Sequence, residues 1–340
     1  MPIDTEEELE ERLSRPAEAD AAAIAGLDGD LIILGAGGKM GPSLARLARR
    51  AADQAAVKKR IVAVARFSNP KLLSQLSSEG IETIACNLLE PGALSALPDA
   101  RNVIFMAARK FGTTGSEYLT WAMNTYLPGL VAERFRDARI VAFSTGNVYP
   151  LQPVKEGGAR ESTAVDPQGE YAQSALGRER MFEYGSAKWG TPVVILRLNY
   201  AIDLRYGVLV DIATAVLHRK PIDLSMAAVN VVWQGDANAM ALRSFAHCQS
   251  PPLILNITGP ETLSVRSIAE QFGRRFGVEP LFSSEEMPTA LLSNATKAQE
   301  LMGSPAVAPC EMMDWIANWI KRGGVMLNKP THFQARDGKF

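Results

Sequence analysis

The sequence predicts an α/β fold in which a doubly wound parallel sheet is accompanied by a smaller C-terminal lobe. From Asp30 to about Leu198, short apolar runs rich in Val and Ile alternate with longer helical stretches, a pattern typical of parallel strands joined by crossover helices. A glycine-rich turn directly follows the first apolar run and opens a helix. The 340 residues can form one large domain or a main domain with a second lobe, since domains usually have about 100–200 residues.

Seven strands are predicted for the sheet. Each is a short apolar run, and the runs lie at 31–34, 61–65, 81–85, 102–106, 140–143, 193–196 and 253–257. The longest predicted helix, 116 to about 136, lies between the fourth and fifth strands. After Leu198 the alternation loosens, and further helices are predicted at 210–219, 264–276, 295–302 and 310–321. We expect Ser264 to cap the second of these.

The glycine-rich turn is the first candidate binding feature. It consists of Gly35, Ala36, Gly37, Gly38, Lys39, Met40 and Gly41. In this context Gly35 permits a tight turn, Gly38 lets the backbone approach a pyrophosphate, and Gly41 allows close packing of the helix. The phosphates would then lie at the helix N-terminus, where free backbone N–H groups favour anions. The turn therefore predicts a dinucleotide site of the Rossmann type.

The end of the second strand indicates which dinucleotide is preferred. An NAD enzyme usually has an acidic residue there for the ribose 2′-hydroxyl, but this chain has Arg66 and Ser68. A guanidinium suits a 2′-phosphate, and Lys39 could add a second positive charge. The alternative is that Arg66 is a solvated residue at a strand end. We predict NADP as the cofactor, with NAD as the alternative.

The domain organisation follows from these patterns. Residues 1–29 are charged and rich in alanine, and we expect an N-terminal appendage of one helix and a linker. Residues 30–198 form the predicted dinucleotide-binding domain, to which the strand at 253–257 returns. Residues 199–325 form most of the substrate lobe, and 326–340 are a tail.

Composition and charge exclude several classes of protein. The 36 Lys and Arg residues nearly balance the 37 Asp and Glu residues, and no basic block suits a nucleic acid or an anionic membrane. Cys86, Cys248 and Cys310 are odd in number and far apart, which favours a reducing compartment. The acidic N-terminus lacks the apolar core of a signal peptide, and no apolar run approaches 18 residues. We therefore expect a cytoplasmic protein that binds a small molecule, with neither nucleic acid nor membrane as partner.

Several further motifs, taken together with the glycine turn and in this order, resemble the extended short-chain dehydrogenases/reductases, the group of NAD(P)-dependent sugar epimerases and dehydratases. They are Asn87-Leu88, the run 103–108 that ends in Ala107 and Ala108, Asn124, and the segments 143–150, 170–179, 193–199 and 255–270. The match covers about residues 30–322. It implies that Asn87 and Leu88 lie near the adenine and that a homodimer forms through helices 116–136 and 171–188.

The resemblance also implies the catalytic residues. Thr145 occupies the Ser/Thr position of the family. Tyr171, which is 26 positions later in the sequence, occupies the position of its catalytic tyrosine. The chemistry is coherent, because a hydroxyl at a strand end can hold a substrate oxygen while a phenol exchanges its proton. Asn124 is the third expected member of the site. Capping is the alternative role for Thr145 alone, and packing for Tyr171 alone.

One departure from the family pattern concerns its lysine, which lies four residues after the tyrosine, lowers the tyrosine pKa and holds the nicotinamide ribose. Here that position is Ala175. The pair Tyr184 and Lys188 has the same spacing but lies at the far end of the helix. Lys110 and Arg178 are candidate replacements, although a surface charge is the more favoured interpretation of Arg178.

These observations predict an NADP(H)-dependent oxidoreductase that acts on a carbonyl or carbinol carbon of a sugar-like molecule. An epimerase or dehydratase of the same fold is the alternative within enzymes, and a nucleotide sensor without chemistry is the alternative outside them. The loop 109–115 together with Arg205 could bind an acidic or phosphorylated substrate. His218, His247 and His332 share no metal-ligand spacing, so no metal is predicted.

Overall fold

The computed structural model describes residues 3–110, 112 and 115–338. Its centre is a seven-stranded sheet in which every neighbouring pair is parallel. The strands are β1 Leu31–Leu34, β2 Ile61–Ala65, β3 Glu82–Ala85, β4 Asn102–Phe105, β5 Arg139–Thr145, β6 Val193–Leu198 and β7 Leu253–Ile257. They lie in the order β7-β6-β5-β4-β1-β2-β3. All seven predicted strands and the doubly wound arrangement are confirmed.

The sheet is apolar on both faces, which explains the uninterrupted runs in the sequence. In β1 all four side chains are fully buried. Leu31 and Ile33 pack in one core cluster, whereas Ile32 and Leu34 pack in another on the opposite face. The strand order reverses between β1 and β4, so the carboxyl ends of these two strands flank the crevice where doubly wound folds bind ligands.

Helices cover both faces of the sheet. They are α1 Glu6–Leu13, α2 Glu18–Ala25, α3 Gly41–Gln54, α4 Pro70–Ser78, α5 Glu117–Trp121, α6 Leu127–Arg134, α7 Gly169–Trp189, α8 Val208–Leu217, α9 Gln234–Arg243, α10 Val265–Phe276, α11 Thr296–Met302 and α12 Pro309–Lys321. The helix predicted at 116–136 is interrupted by a π-helical turn, Ala122–Tyr126, between α5 and α6. Ser264 caps α10, because its side chain accepts a hydrogen bond from the backbone N–H of Ser267.

The prediction of a linker near the N-terminus is wrong, because α2 occupies that segment. Ile24 of α2 is fully buried in the core beside α3 and α9. Leu9 and Leu13 of α1 are buried in a different core, that of the C-terminal part. The buried carboxylate of Asp20 pairs with Arg243 of α9 at 2.7 Å. Small alanine side chains let α2 approach its neighbours, so a segment that looked like a spacer contributes to packing.

The C-terminal part has its own apolar core around α8, α10 and α12. The rings of Trp233 and Trp315 meet edge to face there, with centroids 5.3 Å apart. Pairs of two-residue strands border it, at Gln152–Pro153, Ala201–Ile202, Ile222–Asp223, Ala228–Val229, Val232–Trp233, Leu263–Ser264, Phe282–Ser283 and Thr289–Ala290. The segment after α12 packs against this part, since Thr331 and Phe333 are buried. The lobe boundaries stay a prediction.

Candidate functional site

Two glycines of the glycine-rich turn have no room for a side chain. Gly35 has φ +96°, and a Cβ there would lie 2.5 Å from the backbone N of Ala107. A Cβ on Gly41, the first residue of α3, would lie 2.4 Å from the carbonyl oxygen of Ala36. The turn is therefore pressed against the residues that follow β4 and against its own first half.

The rest of the turn fits the pyrophosphate of a dinucleotide. A Cβ on Gly38 would meet its nearest neighbour, the carbonyl oxygen of Gly35, at 3.4 Å, so the outer side of this residue is open. Gly37 approaches Ala65 at the end of β2, where a Cβ would come within 2.9 Å of the alanine methyl. With α3 beginning at Gly41, its first N–H groups are available to an anion.

The residues expected near the adenosine lie at the carboxyl ends of β2 and β3. The side chains of Arg66 and Ser68 are exposed there. Leu88 is buried, and Asn87 holds its own turn by donating to Glu90 at 2.9 Å. This end of the crevice thus offers one cation, Arg66, to a phosphate on the adenosine ribose.

Lys39 does not join Arg66, and its expected role at the 2′-phosphate is wrong. Its Nζ donates to the carbonyl oxygen of Ala201 at 3.0 Å and lies 3.9 Å from the ring centroid of Tyr206. Ala201 follows β6, and three strands separate β6 from β2, which corresponds to roughly 19 Å across the sheet. A carbonyl and an aromatic face hold the ammonium at the opposite end of the crevice.

That end contains a cavity of about 150 Å³. It is lined by Lys39, Met40, Lys110, Ser144, Thr145, Asn147, Tyr171, Leu198, Asn199, Tyr200, Ala201, Tyr206, Gly207, Val208 and Thr331. One cavity therefore joins the glycine turn to three of the four predicted catalytic residues, namely Thr145, Tyr171 and Lys110. The sequence pattern had no signal for Tyr200, Tyr206 or Thr331, which come from loops and from the last segment of the chain.

Thr145 and Tyr171 reach the cavity from the end of β5 and from the first turn of α7. The Thr145 hydroxyl bonds Asn147 twice, donating to its Oδ1 at 3.1 Å and accepting from its backbone N–H at 3.2 Å. Thr145 therefore caps a short 3₁₀ turn and also lines the cavity. The Nζ of Lys110 lies 5.6 Å from the ring centroid of Tyr171.

Asn124 is a positioning residue in this geometry. It is fully buried in the π-helical turn and is not among the residues that line the cavity. Its amide group accepts from the backbone N–H of Arg109 at 2.8 Å and donates to the carbonyl oxygen of Arg109 at 2.9 Å. A further bond joins it to Ser174 of α7. Asn124 thus fixes the backbone that presents Lys110.

Burial changes the electrostatics of both lysines at the cavity. Desolvation lowers the pKa of Lys39 to about 7 and the pKa of Lys110 to about 8. The carboxylate of Asp211 opposes the pKa shift of both groups, and Lys110 adds to the lowering at Lys39. Near neutral pH these two amino groups therefore change charge readily.

Position 175 holds no cation. Ala175 is fully buried and packs with Val148 and Tyr149. The pair with matching spacing lies elsewhere, since Tyr184 is exposed and the Lys188 ammonium lies 5.4 Å from its ring centroid. It does not line the cavity.

The surroundings of Arg178 and Arg205 differ from those predicted from the sequence. Arg178 is 3% exposed, so the surface-charge interpretation is wrong, because the inner face of α7 carries this side chain against the sheet. Arg205 is bound by Asp203 at 2.6 Å and by Glu10 of α1 at 2.7 Å. Two carboxylates neutralise Arg205, which makes it unsuitable for holding an acidic substrate.

The sequence patterns did not predict a buried polar network that lies behind the cavity. Arg197 of β6 donates to Glu179 of α7 at 2.6 and 3.0 Å and to the Tyr149 hydroxyl at 2.7 Å. That hydroxyl donates to Asn256 of β7 at 2.9 Å, and Ser144 donates to Glu179. The available signal was an arginine inside the apolar run 193–199. The network ties three strand ends and α7 together.

The fold and the cavity define a Rossmann-type oxidoreductase of the extended short-chain dehydrogenase/reductase type. Its family is shown by the sequence model of the NAD dependent epimerase/dehydratase family, which matches residues 31–202, just over half of the chain. The chain belongs to this family. No curated protein matches the sequence.

Solved structures with the same fold include three proteins with bound NAD. A UDP-glucuronic acid 4-epimerase from Bacillus cereus, in complex with a UDP-sugar and NAD, has a TM-score of 0.72 and 16% identity over 86% of this chain and 99% of its own. A dTDP-glucose 4,6-dehydratase from Streptomyces venezuelae with bound NAD has a TM-score of 0.73 and 17% identity, over 86% of this chain and 96% of its own. MoeE5, in complex with UDP-glucose and NAD, has a TM-score of 0.69 and 19% identity, over 87% of this chain and 99% of its own.

Among the described residues, none of the helices combines the length and apolar character that crossing a membrane requires.

Proposed function

We propose that this enzyme oxidises a hydroxyl-bearing carbon of an anionic, nucleotide-linked sugar with NAD or NADP and then returns the hydride to the same sugar, as epimerases and dehydratases do. The observation that carries the proposal is the single cavity in which Thr145 and Tyr171 meet the glycine turn and two lysines. A net oxidation or reduction at a carbonyl or carbinol carbon, which the sequence predicts, is the weaker choice, because the similar solved structures include a nucleotide-sugar epimerase and a nucleotide-sugar dehydratase.

The residues of the cavity divide the chemistry between them. The Thr145 hydroxyl holds the substrate oxygen, and Tyr171 takes the proton from that oxygen as the C–H bond breaks and returns it in the reverse step. A nicotinamide cofactor supplies the acceptor and donor of the hydride when it is bound. Gly35, Gly38 and Gly41 would hold its pyrophosphate at the start of α3.

The charge of the cavity supports an anionic substrate. Lys39 and Lys110 approach from the glycine turn and from the segment after β4, and both line the same space. Ammonium groups there suit the phosphates of a nucleotide sugar or a sugar carboxylate. This assignment replaces the role expected for Arg205, which is neutralised by Asp203 and Glu10.

The test is conversion of UDP- and dTDP-linked hexoses, with and without carboxylates, by the purified chain with added NAD or NADP. NMR spectroscopy identifies an epimer or a 4-keto product. Product formation that depends on Tyr171, as argued in the Discussion, supports the proposal. Firm cofactor binding without conversion of any nucleotide sugar would instead support the nucleotide sensor, which Ala175 favours.

Raising the pH is expected to weaken substrate binding. Below pH 7 both lysines are protonated, and between pH 7 and 9 first Lys39 and then Lys110 lose their charge, since their pKa values are lowered to about 7 and about 8. KM should therefore rise over this range. In Lys110→Met, KM should be higher at pH 6.5 and should depend less on pH above 8. A KM that is flat from pH 6.5 to 9 contradicts the proposed contacts.

Arg66→Ala is expected to remove a preference for NADPH over NADH. One charge-assisted contact between Arg66 and a 2′-phosphate is worth about 1.5–3 kcal/mol, and the Arg66 side chain is exposed at the strand end where that phosphate would lie. Calorimetric titration of both cofactors measures the preference in each variant. Equal or reversed affinities in the wild type would assign NAD as the cofactor.

A homodimer is also proposed. Tyr118, Trp121 and Tyr126 are exposed large side chains on the segment from α5 to the π-helical turn, and Tyr184 is exposed on α7. Grouped exposed aromatic residues on two helices are typical of protein interfaces. These are the helices that the family resemblance assigns to the dimer.

A further inference from the structure

Arg178 is buried without a carboxylate partner among the described residues. Its Nη1 donates to the carbonyl oxygen of Phe143 at 2.8 Å. The other two nitrogens of the guanidinium, Nε and Nη2, are buried and make no hydrogen bond. Unpaired buried donors of a charged group are costly, so a fold that keeps them usually does so at a functional site.

The adjacent residue shows that a partner was available. Glu179 faces Arg197 of β6 and binds it through both carboxylate oxygens. The charge of Arg197 is therefore balanced by a hydrogen-bonded carboxylate, whereas Glu179 attracts Arg178 without a hydrogen bond, although both arginines are 3% exposed. The positive charge of Arg178 remains inside the protein, where screening by water is weak.

Arg178 lies behind the cavity, between α7 and the sheet, and is not among the residues that line it. The Cζ atom of Arg178 lies 5.8 Å from the ring centroid of Phe105, the last residue of β4, and its bonded carbonyl belongs to Phe143 of β5. Thr145 follows two residues later on the same strand, and Tyr171 lies two helical turns earlier on the same face of α7. Burial lowers the pKa of Arg178, and electrostatic attraction to Tyr171 and to Glu179 partly opposes this effect.

We propose that Arg178 is the fixed positive charge of this active site and replaces the lysine that is missing at position 175. This rests on the proposed function. Arg178 is a positioning residue: it stabilises the negative oxygen that Tyr171 carries when it is ready to take the substrate proton. A fixed cation behind the cavity also disfavours the positively charged ring of NAD relative to the neutral ring of NADH.

The test compares Arg178→Met and Arg178→Lys with Arg180→Met as the matched control. Arg180 lies on the same helix, is exposed and pairs with Glu183 at 2.6 Å. The readouts are thermal midpoint, kcat, and the ratio of the dissociation constants of NAD and NADH. All three can be measured on the full chain, and the binding ratio requires no substrate.

Arg178→Met is expected to keep or raise the thermal midpoint, because an apolar side chain replaces an unpaired buried charge. Its kcat should fall by about 10²-fold, and NAD should gain about tenfold in affinity relative to NADH. Arg178→Lys should recover part of the kcat and most of the binding ratio. Arg180→Met should match the wild type in all three.

A purely structural arginine would give the opposite result. Arg178→Met would then melt earlier or fail to fold, while kcat per folded molecule and the binding ratio stayed unchanged, and any of these outcomes overturns the inference. If no nucleotide sugar is converted but the binding ratio shifts, the fixed charge beside the cofactor ring is supported, while the role of Arg178 toward Tyr171 fails together with the proposed function. A wild-type chain that binds neither NAD nor NADH overturns both.

Discussion

Tyr171→Phe is expected to lower turnover of a nucleotide sugar by about 10²- to 10⁴-fold, the usual contribution of a positioned acid or base. The change removes one oxygen atom from the cavity next to Thr145 and Lys110. Affinity for NAD should stay within about twofold, because the pyrophosphate would be held by backbone groups of the glycine turn, away from Tyr171. Rates by NMR and affinities by calorimetry measure the two effects separately.

Tyr184→Phe is the matched control for this substitution. Tyr184 lies on the same helix, is 57% exposed and does not line the cavity. It should turn over substrate at the wild-type rate. Full activity of Tyr171→Phe would remove Tyr171 from the mechanism and leave Lys110, at 5.6 Å from the ring centroid, as the next candidate for the proton transfer.

Arg197→Met is expected to destabilise the fold by about 3–5 kcal/mol, as breaking a buried ion pair usually does. It leaves the fully buried carboxylate of Glu179 without its cation and removes the donor to the Tyr149 hydroxyl. Urea unfolding followed by circular dichroism measures the change in the free energy of unfolding. At temperatures where the Arg197→Met variant stays folded, we expect only a small loss of activity.

The double variant Glu179→Leu/Arg197→Met is the control for the ion pair. Removing both charges leaves no unpaired carboxylate, so the double variant should be more stable than Arg197→Met alone. Equal destabilisation by the single and the double change would show that the packing of Arg197, and not its charge, supports the three strand ends.

The strands and the longer helices were predictable because each depends on a local pattern. The four residues of β1 and the five of β7 are continuous apolar runs, and the structure has them at the predicted bounds. β5 extends two residues beyond the prediction, to Thr145, because Ser144 and Thr145 pair with β6 although they are polar. The pair Thr145 and Tyr171 was predicted to be catalytic from motif order, and both residues line one cavity, while their catalytic role stays a prediction.

What could not be predicted depends on partners far away in the sequence. Lys39 was assigned to the adenosine end, but the carbonyl of Ala201, 162 residues later, holds it at the other end. Arginine is usually found at the protein surface, and only the packing of α7 on the sheet buries Arg178. The Ala-rich segment that forms α2 has almost no helical amphipathicity to reveal which side is buried, since alanine occupies five of its eight positions.

The packing of Thr331 has a consequence for the synthesis of the protein. Its backbone N–H and hydroxyl donate to Asp211 at 2.8 and 2.6 Å, and it forms part of the cavity wall. The glycine turn and the first strands are made early on the ribosome and can fold as they emerge. The cavity, however, gains the wall that Thr331 supplies only after the segment that follows α12 has been made. Chains that stop before Thr331 are therefore expected to bind nucleotide without being able to enclose a substrate.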